Sequence, residues 1–166
     1  MALCIELLEA RHQRDEFDCG NDTLNDYLRR QAGQQQRRGF GKTYVALAGN
    51  GLEVIGFVTV SVGQVAARAL PANLKLPRYP APMLRIGRLA VDRREQGKGI
   101  GQDLLAFALH LALEFSERVG LYAVVVDAKD EQAAAFYRRL QFEPTLDDGL
   151  CLFLPLSRLN NIRVVR

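Results

Sequence analysis

The amino-acid sequence predicts a single α/β domain, and three observations lead to that prediction. The chain has 166 residues, of which 48% are hydrophobic and 25% charged, and this length suits one domain with a sizeable core. From residue 84 onward, segments with strand and helix patterns alternate. Apolar residues fill 121–126 without alternation, which is typical of a strand covered on both faces.

The first half of the chain contains three predicted strands and one predicted helix. Apolar runs at 3–8 and 43–48 and the β-branched stretch 54–65 are typical of strands, and Asn50-Gly51 is a hairpin turn signal. Residues 22–36 have helical spacing. One face of that helix carries Leu24, Tyr27, Leu28 and Gln31.

Prolines and basic residues in 66–82 predict a long surface loop, which can contain one helical turn. A strand over 84–91 follows, and then a long helix that Gly120 ends. Its apolar face carries Leu104, Ala108, Leu111 and Phe115.

Beyond the strand at 121–126, Asp130 can cap a helix over 131–140. Closing strands are predicted at 141–143 and 150–154, and the basic tail at 160–166 is predicted to be loose. No linker or internal repeat divides the chain, so the predicted domain spans 1–166.

Composition excludes several classes of protein. The net charge of +3 permits an anionic partner without requiring one. Cys4, Cys19 and Cys151 lack CxxC spacing, which predicts reduced thiols in a cytoplasmic protein, with neither disulfides nor a metal site. No signal peptide and no run long enough to span a membrane is present, so no membrane partner is predicted.

The segment QGKGIG at 96–101 joins a strand to a helix and predicts a phosphate site. Glycines let the backbone approach a ligand closely, and the free N–H groups of a first helical turn favour an anion. Two common phosphate motifs fail here. Gln102 stands at the third glycine position of a dinucleotide fingerprint, and Gln36 stands at the opening glycine position of a Walker A loop ending in Gly41-Lys42-Thr43.

The segment at 96–101 instead resembles the (Arg/Gln)-x-x-Gly-x-(Gly/Ala) turn of the GNAT acetyltransferase superfamily. Residues 130–142 resemble the family segment Ala-x-x-Phe-Tyr-x-x-x-Gly-Phe, with Gln141 at the usual glycine position. The resemblance implies a GNAT (acyl-CoA N-acyltransferase) fold, with a mixed, mostly antiparallel sheet of six or seven strands flanked by helices. It also implies acetyl-CoA as cofactor. The implied contacts are Leu89, Ala90 and Val91 for the pantetheine arm, and Gln96, Gly97, Lys98, Gly99, Ile100, Gly101 and Gln102 for the pyrophosphate.

The whole chain also resembles the GNAT-type toxins of bacterial toxin–antitoxin modules. The residues that carry this resemblance include FDCG at 17–20, Tyr44-Val45, Gly56-Phe57 and the segment 87–92. Such toxins acetylate the α-amino group of aminoacyl-tRNA and so block translation. A small antitoxin that also binds DNA neutralises them. The resemblance therefore implies an aminoacyl-tRNA substrate and an antitoxin partner, and a homodimer is left open.

Tyr137 is the predicted general acid. Its phenol has a reference pKa of about 10, so it stays protonated at neutral pH and can donate to a leaving thiolate. In the family, a tyrosine at the matching position lies beside the cofactor sulfur. Spacing alone favours Phe136-Tyr137 as a core pair, and the neighbouring family motifs favour Tyr137 as a site residue and Phe136 as core.

A general base is harder to assign. Many GNAT enzymes carry a carboxylate on the strand before the glycine turn, where this chain has Arg88. Asp92 is a candidate base or a turn residue, while His12 and His110 are poor candidates. The missing base favours an acceptor α-amine, whose pKa of about 7.7–8.0 leaves it partly neutral.

The basic residues bear on the identity of the acceptor substrate. Any single one is better explained as solvated surface, but as a set they predict a patch for RNA phosphates. The predicted patch comprises Arg29, Arg30, Arg37, Arg38, Lys42, Arg78, Arg85, Arg88 and Arg138. Two alternatives stay open: a GNAT enzyme acting on a small amine or a protein α-amine, and a partner-binding module that retains the fold.

Overall fold

The computed structural model describes the backbone of residues 3–161 and the side chains of residues 3–159. Its strands are β1 (Cys4–Leu7), β2 (Lys42–Leu47), β3 (Val54–Val65), β4 (Ala81–Val91), β5 (Ala123–Asp127), β6 (Glu143–Pro144) and β7 (Cys151–Pro155). They form one sheet in the order β1-β2-β3-β4-β5-β7-β6. The pair β4–β5 is parallel, and the pairs β1–β2, β2–β3, β5–β7 and β6–β7 are antiparallel. The predicted mixed, mostly antiparallel sheet is confirmed.

Four α-helices flank these strands. They are α1 (Asp22–Asp26), α2 (Ala32–Arg37), α3 (Ile100–Ser116) and α4 (Glu131–Arg139). The predicted helix over 22–36 is present but interrupted, because a π-helical segment, Tyr27–Gln31, lies between α1 and α2. The Asn21 side chain caps α1 by accepting the Leu24 N–H at 3.0 Å.

Several predicted boundaries are wrong: the strand expected at 121–126 is Ala123–Asp127, the closing strand expected at 141–143 is Glu143–Pro144, and two larger differences concern β4 and α3. The loop expected through residue 82 ends at Pro80, because a proline carbonyl can still pair in a sheet, and Pro82 O accepts the Tyr122 N–H at 2.9 Å. Two 3-10 turns, Ala67–Ala69 and Ala72–Leu74, lie within that loop. Helix α3 ends at Ser116, before Gly120, where the chain continues in tighter turns.

The described residues form two compact units, one of 3–61 with 87–108 and one of 62–86 with 109–161. The first unit has a core that includes Phe17, Leu28, Val45 and Phe57. The core of the second unit includes Leu70, Met83, Val125 and Phe153. The prediction of a single domain over 1–166 stays a prediction.

Gly56 of β3 allows α3 to pack closely in the first unit. A Cβ at Gly56 would lie 3.0 Å from the Leu104 side chain and 3.3 Å from both the Ile100 side chain and the Ala90 carbonyl. Any larger side chain would push the start of α3 away from the strand. This close packing fixes the position of the glycine turn that precedes α3.

None of the helices within residues 3–161 is both long enough and apolar enough to cross a bilayer. Cys4 is exposed, Cys19 buried and Cys151 half-buried, and all three are free thiols. Asn160 and Asn161 belong to a final 3-10 turn, and the remainder of the predicted loose tail lies outside the described residues.

Candidate active site

The glycine turn has the backbone conformation that the sequence predicts. Gly97 and Gly99 have φ values of 82° and 85°, in the left-handed region that favours glycine. Within residues 3–161, no heavy atom apart from those of the glycine and its two chain neighbours lies within 4 Å of the position that a Cβ would occupy at either residue. Open space therefore borders the turn on the sides where other residues would carry a side chain.

Several backbone N–H groups at this turn are available to bind an anion. Asp103 is the first residue of α3 whose N–H closes a helical bond, to Gly99 O at 3.0 Å. Gln96 and Gly97 form a hydrogen-bonded turn that engages the Lys98 N–H, whereas no protein acceptor within residues 3–161 receives the N–H groups of Gly97 and of 99–102. Together with the dipole of a 17-residue helix, they suit a pyrophosphate.

Side chains in the turn stabilise it. The Gln96 side-chain amide donates to Val91 O at 2.9 Å and to Cys19 O at 3.3 Å, so Gln96 connects the strand end to the segment 17–20. Lys98 Nζ lies 3.2 Å from a Glu95 carboxylate oxygen.

Asp92 holds the end of β4 in place. Its side chain is 1% exposed and accepts the Arg94 N–H at 3.0 Å, the Arg94 Nε–H at 2.9 Å and the Asp18 N–H at 3.1 Å. Burial alone would raise the pKa of Asp92, but the hydrogen bonds from Arg94 and Asp18 outweigh it and lower that pKa. A carboxylate engaged in this way is a structural anchor and a poor general base.

Asn25 is a supporting residue that the sequence does not reveal. It is buried, accepts the Cys19 N–H at 2.9 Å and donates to the Asp18 carboxylate at 3.0 Å. It thereby connects helix α1 to the segment that contacts Asp92 and Gln96. Only the turn-forming composition of 17–22 indicates that this segment has a special structure.

Within the described residues, the last part of β4 has no paired strand on the side that faces β5. Parallel pairing of β4 with β5 covers Met83–Ile86. Leu89, Ala90 and Val91 follow beyond that paired segment, on the part of β4 that leads into the turn. Ala90 is buried, while Leu89 and Val91 are half-buried. This placement is compatible with the predicted contact to a pantetheine arm.

Tyr137 lies in the second unit, on α4, and is 5% exposed. Its ring packs edge-on against Phe136 and Phe142, with centroid distances of 5.2 and 5.7 Å. Within the described residues, its hydroxyl makes no hydrogen bond to another protein group. Burial, and to a lesser degree the charge of Asp127, raise the pKa of Tyr137 above its usual value, so the phenol keeps its proton.

Gln141 takes the left-handed conformation that the family's glycine would adopt, with φ of 78°. Its N–H donates to Arg138 O at 3.0 Å, and the next N–H, of Phe142, donates to Tyr137 O at 3.2 Å. These bonds close the C-terminus of α4, which ends two residues after Tyr137. Gln141 thus forms this turn although it is not glycine, at the strain of a non-glycine residue with positive φ.

The predicted basic patch divides into two groups. Four of its members have partners in the protein: Arg29 with the Phe17 carbonyl, Arg85 with Asp127, Arg88 over the Tyr27 ring and Arg138 with Glu131. The other five form no ion pair with an acidic side chain in the described part of the chain. They are Arg30, Arg37, Arg38, Lys42 and Arg78, all exposed.

Neither histidine is placed for catalysis. His12 is buried, with Nδ1 accepting the Glu9 N–H at 2.9 Å and Nε2 lying 2.8 Å from Glu6. Side-chain atoms of Glu6, Glu9 and His12 lie close enough together to hold a metal ion, but both ring nitrogens already have hydrogen-bond partners. His110 is exposed, with Nε2 3.6 Å from Glu114.

These features belong to a known class of enzyme. The sequence model described as "Acetyltransferase (GNAT) family" matches residues 4–142. The chain therefore belongs to the GNAT family of acetyltransferases. A curated relative, the "tRNA-acetylating toxin" of Mycobacterium tuberculosis (strain ATCC 25618 / H37Rv), is 35% identical over 140 residues, which are 83% of this chain and 82% of the relative.

Solved structures of toxins are also similar to this chain. AtaT complexed with acetyl-methionyl-tRNAfMet has a TM-score of 0.90 and 30% identity, covering 97% of this chain and 99% of AtaT. A tyrosine-to-phenylalanine mutant of AtaT, bound to the C-terminus of the antitoxin AtaR and to acetyl-CoA, has a TM-score of 0.83 and 28% identity, covering 97% of this chain and 99% of AtaT. The AtaT–AtaR complex bound to DNA has a TM-score of 0.79 and 29% identity, covering 96% and 99%.

Replacing Asp92 with asparagine should destabilise the protein in a pH-dependent way. Loss of charged hydrogen bonds should lower the free energy of unfolding by about 1–3 kcal/mol at neutral pH. Because the folded-state pKa is depressed, this contribution is present above the unfolded pKa of about 3.9 and is lost as pH falls through the folded value. Urea unfolding followed by circular dichroism, at pH about 7 and about 3, measures it.

Asp26→Asn is the matched control, because Asp26 is exposed and its carboxylate makes no hydrogen bond or ion pair within residues 3–161. That variant should unfold like the parent at both pH values. A stability difference between Asp92→Asn and the parent that stays the same at both pH values would contradict the assigned role of the carboxylate.

Proposed function

We propose that this acetyltransferase transfers the acetyl group of acetyl-CoA to the α-amino group of aminoacyl-tRNA and thereby blocks translation. The observation that carries the proposal is the likeness, over nearly the whole chain, to AtaT complexed with acetyl-methionyl-tRNAfMet. The M. tuberculosis relative, itself a tRNA-acetylating toxin, supports the same acceptor. The residues proposed to bind the acetyl donor and those proposed to bind the acceptor also support it.

At the donor end, residues 97–102 form the proposed pyrophosphate site and Leu89, Ala90 and Val91 the pantetheine site. Free N–H groups and open space around Gly97 and Gly99 fit a pyrophosphate. Gln96 acts by holding the turn, since its amide is engaged with two carbonyls. Bound acetyl-CoA supplies the thioester, whose carbon–sulfur bond breaks as the acceptor nitrogen forms an amide.

We assign the general-acid role to Tyr137. A phenol whose pKa is raised by burial keeps its proton on oxygen at neutral pH, where it can donate to a leaving sulfur. Its hydroxyl has no other partner within the described residues. Packing against Phe136 and Phe142 fixes the ring, so the hydroxyl is held in one direction.

The acceptor amine needs little help to lose its proton. Asp92 and His12 are both buried and fully hydrogen-bonded, and His110 lies at the surface. An α-amine has a pKa of about 7.7–8.0, and an ester on the same carbon lowers it further, so water suffices as base. A lysine amine, with a pKa of about 10.4, would be almost wholly protonated.

The exposed cations Arg30, Arg37, Arg38, Lys42 and Arg78 are the proposed contacts to RNA phosphates. The four paired members of the predicted patch contribute mainly to the fold. We further propose a small DNA-binding antitoxin as partner, on the likeness to AtaT bound to AtaR and to the AtaT–AtaR complex bound to DNA. The cytoplasm, where aminoacyl-tRNA is found, is the proposed location.

The acceptor is tested by incubating the protein with acetyl-CoA and charged total tRNA. Acetylated aminoacyl-tRNA should form, and deacylated tRNA should yield no product because it lacks the α-amine. Added salt should sharply raise the KM for tRNA, because each phosphate contact releases counterions. Turnover of small amines or peptide α-amines, with no acetylated aminoacyl-tRNA, would overturn the proposal in favour of the alternative acceptors.

Replacing Tyr137 with phenylalanine should lower kcat by roughly 10²–10⁴-fold, the usual contribution of a positioned acid or base. The KM for acetyl-CoA and the unfolding midpoint should stay close to those of the parent, because the ring keeps its packing. Steady-state kinetics with aminoacyl-tRNA measure both parameters.

Tyr122→Phe provides the matched control. Tyr122 is half-buried in the same unit, and its pKa is also raised by burial, but it packs against the core of that unit. This variant should keep the parental kcat. An unchanged kcat in Tyr137→Phe would remove Tyr137 from the mechanism.

A further inference from the structure

Phe40 is a large apolar side chain that the fold leaves outside. It lies between Gly39 and Gly41, on the connection from α2 to β2, and is 64% exposed. The Arg38 guanidinium carbon lies 5.3 Å from the centroid of the Phe40 ring. Neither hydrophobic core of the described residues includes this ring, so its exposure needs another explanation.

The backbone beneath Phe40 is firmly held. Its N–H donates to Gln35 O at 2.9 Å. The Gln36 side chain bridges the two adjoining segments, because its amide nitrogen donates to Leu8 O at 3.0 Å and its oxygen accepts the Thr43 N–H at 2.9 Å. The backbone that carries the ring is therefore ordered before a ligand binds, which limits the entropy lost on binding.

Exposed basic residues adjoin Phe40 in the sequence, and one of them, Arg38, lies over its ring. Arg37, Arg38 and Lys42 are exposed, and none pairs with an acidic side chain in the portion of the chain that the structure describes. Proteins that bind single-stranded nucleic acid combine exposed aromatic rings, on which bases stack, with cations that follow the backbone phosphates. A face of this charge would repel a second copy of itself in a two-fold dimer.

We propose that Phe40 is a stacking platform for an unpaired base of the RNA acceptor, with Arg37, Arg38 and Lys42 contacting the adjacent phosphates. This inference rests on the proposed function, since the aminoacyl end of tRNA is single-stranded. It adds a base contact to a surface otherwise made of charge alone. Stacking tolerates any base, so this contact supplies affinity and position without reading sequence.

The absence of tryptophan from the sequence allows a direct binding test that involves no acetyl transfer. Phe40→Trp introduces one indole reporter, and a short single-stranded RNA that carries no amino acid should quench its emission on binding. Leu146→Trp is the matched control, because Leu146 is 65% exposed but is followed by Asp147 and Asp148. Its emission should not respond to the RNA. Equal quenching in both variants, or none at Phe40→Trp, would overturn the proposal.

A kinetic test distinguishes the contribution of base stacking to tRNA binding from that of the charged residues. Phe40→Ala should raise the KM for aminoacyl-tRNA by roughly 5- to 150-fold, which corresponds to about 1–3 kcal/mol per stacked base. Its kcat and its KM for acetyl-CoA should stay unchanged, and Phe40→Tyr, which retains an aromatic ring, should restore the KM. Equal KM values for Phe40→Ala and the parent would contradict the stacking role.

Two further results distinguish the possible failures. If the parent does not acetylate aminoacyl-tRNA, the proposed acceptor is wrong, while quenching of Phe40→Trp still reports RNA stacking. If Phe40→Ala lowers the assembly mass in light scattering and leaves RNA affinity unchanged, the ring binds a second copy of the chain. That second result would overturn the stacking proposal.

Discussion

The buried carboxylate of Asp92 is the interaction on which the first unit depends. It fixes the end of β4 by accepting hydrogen bonds from Arg94 and from the Asp18 backbone. Gln96 adds a second connection, to the Val91 and Cys19 carbonyls. The turn that follows is therefore anchored from outside, and its own N–H groups stay free for a ligand. Preorganised donors of this kind bind an anion without paying to order the loop.

The arginines of the predicted basic patch occupy two kinds of environment. Arg29, Arg85, Arg88 and Arg138 are engaged with protein groups, whereas Arg30, Arg37, Arg38 and Arg78 are exposed without an acidic partner in the described residues. Sequence position alone does not separate the groups, because Arg29 and Arg30 are neighbours with different environments. Exposed cations without an acidic partner favour a polyanionic acceptor over a small amine.

The sheet and the glycine turn could be predicted because local signals specify them: strand periodicity, the turn at Asn50-Gly51 and the glycines of 96–101. The start of β4 at Ala81 could not, because prolines hide a strand whose pairing uses carbonyl groups. The π-helical segment Tyr27–Gln31 and the role of Asn25 also escape prediction, since both depend on tertiary contacts across the core. The proposal of Tyr137 as general acid comes from family resemblance, and its burial and raised pKa support that proposal.

Backbone hydrogen exchange with and without acetyl-CoA tests the central claim most directly, namely that the turn at 97–102 holds the pyrophosphate of the donor. The free N–H groups there should exchange rapidly in the unliganded protein and slow markedly on addition of acetyl-CoA, because each gains an acceptor. Amides of the hairpin at Asn50-Gly51 serve as an internal reference and should be unaffected. Unchanged exchange at 97–102, with protection elsewhere on saturation by acetyl-CoA, would contradict the account.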